Sequence, residues 1–281
     1  MSEVDLRMRS KCHWKLLVVV LLSCLGACAE RGSEQPTPEA AKRFLQLRGY
    51  NFDGPSFISA VKSGDELAVN GFISAGIDLN VKDENGDTAV TAAEMRDDVK
   101  IIEALLHGGA DVNARGRNNW TAFLLALEEE RDEVAARLIS QPGLDLKAES
   151  PNGMTALMLA VWHNRPEFVR TILQKGPNLN HQDKDGDTAV HGAAWLGEAR
   201  ILDMLLGAGA NPNIKNKLGG TALMWAASYG QAEAAQILLD KGADPRLKDV
   251  DGVTAAGWAA KNGQTNLTML LREAEKKGGR Q

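Results

Sequence analysis

The chain has 281 residues, 44% hydrophobic and 25% charged, which fits folded protein and excludes disorder along most of its length. Its formal charge is −5 and it has no long basic block, which argues against a nucleic-acid binder driven by phosphate contacts. All three cysteines (Cys12, Cys24 and Cys28) lie near the N-terminus, so nothing after residue 28 can form an internal disulfide, a thiolate zinc site or a cysteine nucleophile.

The first element is an address. Arg7, Arg9, Lys11 and Lys15 precede an apolar run that starts at Leu16 and softens into Ser23, Cys24, Leu25, Gly26, Ala27 and Cys28. Basic residues, a short apolar stretch and small residues at a break are the parts of a secretory signal. The stretch from Leu16 to Ala29 would be about 21 Å long as a helix, short of the roughly 30 Å hydrocarbon core, so a spanning helix is disfavoured. Leu25-Gly26-Ala27-Cys28 resembles the lipobox of bacterial lipoproteins. That resemblance implies cleavage after residue 27, lipid on Cys28, and outer-membrane sorting from Ala29 in the place of Asp. Residues 1–27 are thus expected to be a lipoprotein signal peptide and 28–36 a flexible tether, with an r.m.s. reach of about 16 Å. Without residues 1–27 the chain carries 28 Lys+Arg against 35 Asp+Glu, a formal charge of −7.

Thr37-Pro38-Glu39 supplies an N-cap, a proline for the first helical position and an early acid, which predicts a capping helix within 37–52. Beyond it the chain repeats. Thr-Ala recurs at Thr88, Thr121, Thr155, Thr188, Thr221 and Thr254, at spacings of 33, 34, 33, 33 and 33 residues. A second register agrees: Gly76-Ile-Asp-Leu-Asn80, Gly109-Ala-Asp-Val-Asn113, Gly176-Pro-Asn-Leu-Asn180 and Gly209-Ala-Asn-Pro-Asn213, with Gly143 following one extra residue. In each unit a Gly-containing turn with Asp or Asn precedes the Thr. A first helix carries alanine pairs such as Ala193-Ala194, and a second supplies bulk such as Ile101-Ile102 and Leu105-Leu106. Neither helix pair can bury its apolar face alone, so the units must stack.

The block Asp183-Lys-Asp-Gly-Asp-Thr-Ala-Val-His-Gly-Ala-Ala194 resembles the ankyrin repeat, with Thr188-Ala189-Val190-His191 standing for the family's Thr-Pro-Leu-His. The fold this implies is all-α: an ankyrin-repeat solenoid of stacked helix-turn-helix units with β-turn or hairpin tips. A degenerate first unit begins near Asp53, giving seven repeats over 53–281, at about 53–84, 85–117, 118–150, 151–183, 184–216, 217–249 and 250–281. The resemblance also makes His191 a structural residue that bonds turn backbone.

No catalytic motif is found. There is no Gly-x-Ser-x-Gly, no P-loop, no dinucleotide-binding glycine motif and no paired-His metal spacing. Asp183-Lys-Asp-Gly-Asp187 has Gly186 fourth and Ala194 twelfth, which is wrong for an EF-hand loop. No cofactor, no metal and no enzyme activity are expected; a catalytic site around His163 and nearby acids is the rival reading. Ankyrin proteins are similar in binding partners through turn tips and the exposed end of the first helix, a concave face. Mapped onto this chain, that face holds Trp120, Met154, Trp162, His163, Trp195, Leu196 and Tyr229. Three aromatics burying about 150 Å² each would contribute roughly 11 kcal/mol gross, against an association cost of about 4–15 kcal/mol. Trp225 and Trp258, four places after their Thr, are expected to point into the core. The chain is read as a monomeric module that binds an exported or periplasmic protein. The alternatives are an immunity-type inhibitor of a toxin or secreted enzyme, and a cytoplasmic, signal-anchored scaffold.

Overall fold

The computed structural model describes residues 36–278, so the signal peptide, Cys28 and all of the tether but Pro36 lie outside the described residues. Helix α1 (Pro38–Leu47) starts where Thr37 accepts a bond from the Ala40 N–H. Seven helix pairs follow: α2 (Gly54–Ser63) with α3 (Glu66–Ser74), α4 (Ala89–Glu94) with α5 (Val99–His107), and α6 (Ala122–Glu128) with α7 (Asp132–Ile139). Next come α8 (Ala156–Trp162) with α9 (Pro166–Gln174), α10 (Ala189–Leu196) with α11 (Ala199–Gly207), α12 (Ala222–Ser228) with α13 (Ala232–Asp240), and α14 (Ala255–Lys261) with α15 (Thr265–Gly278). The first helices of successive pairs pack on one another along the whole series. Extended structure among the described residues is limited to isolated bridges at the tips, such as Lys82 with Thr88. No described helix is long and apolar enough to cross a membrane.

Small residues set the spacing. Ala93, Ala126, Ala160, Ala193, Ala226 and Ala259 are fully buried, letting the first helices approach closely. The second helices fill the other side with Ile101, Ile102 and Leu105, Val134 and Leu138, and Ile201, Leu202 and Leu205. The second helices α3, α5, α7, α9, α11 and α13 are each followed by a glycine with positive φ, for example Gly109 at 96° and Gly209 at 98°, the left-handed geometry that glycine adopts without penalty. Thr88, Thr121 and Thr254 cap their helices by accepting from the N–H three residues on, each at 3.3 Å.

The Asn that closes the Gly-x-Asp-x-Asn register ties one repeat to the next. Asn80 Oδ1 accepts from the Asp111 N–H, Asn113 Oδ1 from Asp145, Asn180 Oδ1 from Asn211 and Asn213 Oδ1 from Asp244, at 2.7–2.9 Å. Further out, the tips touch through backbone: Lys184 N–H donates to Asn152 O, Lys217 N–H to Asp185 O and Val250 N–H to Leu218 O, each at 3.0 Å. Gly186 sits under this contact with φ +82°, and a Cβ there would lie 2.8 Å from the Lys217 nitrogen. Gly252, at φ +77° in the last tip, has nothing within 4 Å. Gly186→Ala is therefore expected to cost about 3 kcal/mol and Gly252→Ala about 1 kcal/mol, the difference being the tip-to-tip collision, as read from urea unfolding of both variants.

One first helix breaks the apolar rule. Glu94, six places after Thr88, occupies the position held by Leu127, Val161, Ala194, Ala227 and Ala260 elsewhere. It is fully buried, with Arg131 Nη1 at 2.7 Å from Oε1 and 2.6 Å from its backbone carbonyl. Glu94 Oε2 has no hydrogen-bond partner among the described residues. Burial pushes this carboxyl up to about 7, against the opposing pull of Arg131.

Candidate functional site

The site is a groove of about 580 Å³ between the turn tips and the first helices of the fourth to sixth repeats. Its aromatic wall rises from three successive helix ends. Trp162 ends α8, Trp195 lies in the last turn of α10, and Tyr229 follows α12. Trp162 and Trp195 stack with ring centroids 4.6 Å apart and planes 13° from parallel. Tyr229 meets Trp195 edge-on at 5.6 Å and lies over Trp225 at 6.0 Å. Stacking leaves much of this wall in solvent: Trp162 is 46% exposed and Tyr229 51%. Repeat spacing puts like positions side by side, so three rings chosen by sequence form one surface.

The opposite wall is the acidic tip of the fifth repeat. Asp183 Oδ1 accepts from the N–H groups of Asp185 and Asp187, both at 2.9 Å, which closes the turn. Asp187 Oδ1 accepts from the Asn216 amide at 2.9 Å. Burial raises the Asp187 carboxyl above its ordinary value, opposed by that hydrogen bond and by His191. His191 is almost fully buried; its Nδ1 accepts from the Thr188 N–H at 3.1 Å and its Nε2 donates to the Gly220 carbonyl at 3.2 Å. Burial lowers its pKa despite Asp187, so the ring is neutral and joins two repeats. No group of three His, Cys, Asp or Glu side chains that could hold a metal occurs among the described residues.

The seven residues singled out from sequence divide. Met154, Trp162, Trp195 and Tyr229 line the groove. Trp120 packs half-buried against the core, and Leu196 is half-buried outside the groove. His163 is tied to its neighbours, Nε2 3.3 Å from Glu128 and Nδ1 3.3 Å from Glu130. The expectation that Trp225 and Trp258 enter the core holds only in part: both are half-buried, Trp258 packing against the core, whereas Trp225 lines the groove and corrects the expectation. The positions beside them are small (Ser228, Gly220, Gly257), so the short helix leaves an indole too large for the layer standing at its edge. Trp258 settles there by donating Nε1–H to Asp249 Oδ2 at 2.8 Å.

Ankyrin repeat models match three overlapping spans, residues 57–150, 142–216 and 190–279. This chain belongs to the ankyrin repeat family. It is 29% identical over 144 residues to an ankyrin repeat-containing protein of Treponema pallidum, covering 51% of this chain and 48% of that one. It is 28% identical over 117 residues to the ankyrin repeat protein YahD of Escherichia coli, covering 42% of this chain and 58% of the relative. The chain thus spans about half the length of the bacterial relatives it matches. Among solved structures it is similar to the ankyrin repeat domain of Bcl-3, a member of the IkappaB family, with a TM-score of 0.68 and 28% identity, covering 78% of this chain and 98% of that domain. Ankyrin repeats imply a protein–protein interaction module, and the fold is typical of scaffolds without enzymatic activity.

Proposed function

We propose that this chain is a non-catalytic binding module held at the bacterial envelope by lipid on Cys28, which grips an exported or periplasmic protein in the groove between its tips and first helices. The observation that carries the binding half is the aromatic wall of Trp162, Trp195 and Tyr229, with Trp162 and Tyr229 about half exposed to solvent beside the acidic tip of Asp183, Asp185 and Asp187. Large exposed rings in a contiguous patch are uncommon on a soluble domain unless something covers them. The motif Leu25-Gly26-Ala27-Cys28 behind its basic and apolar leader supports the anchor. Several acyl chains on one residue give stable membrane attachment where one chain does not.

Two measurements test the reading. A photoreactive phenylalanine analogue at Tyr229, in cells, is expected to crosslink to one discrete protein, whereas the same group at Asp203 on the outer helix α11 is not; equal labelling from both positions overturns the groove as the binding face. Labelled palmitate is expected to enter the wild-type chain and to be lost in Cys28→Ser. Absence of label from the wild type, or unchanged label in the variant, removes the anchor and favours a signal-anchored scaffold.

A further inference from the structure

Resting on the groove as the binding face, we infer that the partner presents an extended segment bearing an arginine or lysine, whose cation sits against Asp187 and the indole faces of Trp195 and Trp225. The chain carries its own template for this arrangement. In the seventh repeat, Trp258 donates Nε1–H to Asp249 at 2.8 Å, and Lys261 Nζ lies 4.7 Å above the ring. Indole, carboxylate and cation are thus assembled within thirteen residues, Asp249 to Lys261.

One repeat earlier the indole recurs without its companions. Trp225 stands at the place of Trp258, but Asn216 replaces Asp249 and Ser228 replaces Lys261. The Trp225 Nε1–H is buried and has no hydrogen-bond partner among the described residues. The nearby carboxylate tells the same story. In the second repeat, Asp87 is met by the Arg117 guanidinium of the next tip at 2.6 Å. Asp187, at the same place in the fifth repeat, receives only the Asn216 amide and forms no ion pair among the described residues. The groove therefore offers a half-buried carboxylate without a cationic partner among the described residues, beside ring faces suited to both methylenes and charge.

An extended basic side chain answers both at once, with a cationic head for Asp187 and an apolar stem for the rings. Asp183 and Asp185 reinforce the negative wall, and the chain as a whole is acidic at −5. Lys184 also lines the groove, but its side chain is exposed and long enough to turn away. Arginine is favoured over lysine, because a planar guanidinium can stack on indole while bonding a carboxylate.

The test is a titration of the full 281-residue chain, with ¹⁵N-labelled indoles, by the capped hexapeptides acetyl-(Ala-Arg)₃-amide, acetyl-(Ala-Nle)₃-amide and acetyl-(Ala-Glu)₃-amide at low salt. The arginine peptide is expected to shift the Trp225 and Trp195 indole signals, and the norleucine and glutamate peptides are not. Asp187→Asn keeps the acceptor for Asn216 and is expected to weaken arginine-peptide binding about fivefold, Trp225→Phe about threefold. Equal shifts from the glutamate or norleucine peptide, or no shift from the arginine peptide, overturn the inference on wild-type protein alone, whatever the variants' folding. So does unchanged affinity in folded Asp187→Asn. Failure here with crosslinking from Tyr229 intact removes only the cationic partner, whereas equal crosslinking from Asp203 removes the binding face beneath it.

Discussion

Glu94→Gln is expected to gain about 3 kcal/mol relative to the wild type between pH 4 and pH 8, measured as the change in the difference between their urea unfolding free energies. The sign follows from the direction of the shift. The folded-state carboxyl titrates near 7, above its ordinary value of 4.5, because it is buried among the first helices. Below pH 4.5 both folded and unfolded forms are protonated and the group is neutral in its effect. As pH rises from 4.5 to 7 the unfolded chain releases its proton while the folded one keeps it, so stability is lost across that window. Above pH 7 the loss is complete. Gln keeps the shape and the acceptor that Arg131 uses at 2.7 Å and has no proton to release. A difference that stays flat with pH, or one that moves the other way, would show that Arg131 holds Glu94 ionised at ordinary pH. In that case the repeat would contain a true buried ion pair.

The pair Trp162→Ala and Trp195→Ala is expected to reduce binding of the partner crosslinked from Tyr229 by about a hundredfold or more, since central aromatic anchors typically cost 2 kcal/mol or more each on truncation. Stability is expected to fall by only about 1 kcal/mol, the worth of one stacked pair on an exposed face. The rings stack 4.6 Å apart at the ends of their helices, with Trp162 46% exposed, so their loss opens no enclosed cavity in the core. Trp120→Ala is the control. Trp120 packs against the core outside the groove, so its loss is expected to lower the melting temperature and spare the partner. A collapse in stability from the tryptophan pair, or wild-type binding by it, would make the wall a packing feature rather than an interface.

Much of this architecture is legible in the chain because a repeat is a local object. A Thr every 33 or 34 residues, a glycine after each second helix and an alanine five places after each Thr state the same structure six times, so each statement corrects errors in the others. The Asn of the Gly-x-Asp-x-Asn register is visible as a pattern, but its job is not. It reaches across to the next repeat's backbone, as Asn113 does to Asp145, and no spacing within one unit reveals a bond between two. The candidate site was legible in half. Met154, Trp162, Trp195 and Tyr229 share a face by period alone, while Trp120, His163 and Leu196 share the register and not the groove.

What the sequence determined by itself is a unit of about 33 residues that must stack and the register its rings share, because those follow from periodicity and side-chain size; the resemblance to ankyrin repeats then put those rings on the tip-side face. What only the tertiary structure decided is which side chains find partners across the repeat boundary. Trp225 and Trp258 hold the same place in their units; one donates to Asp249 beneath Lys261, and the other donates to nothing among the described residues. Glu94, buried at a position that is apolar in the other repeats, finds its partner in Arg131 thirty-seven residues on. Polar satisfaction depends on atoms brought within 3 Å by folding, and it is there, rather than in the period, that individual repeats become different from one another.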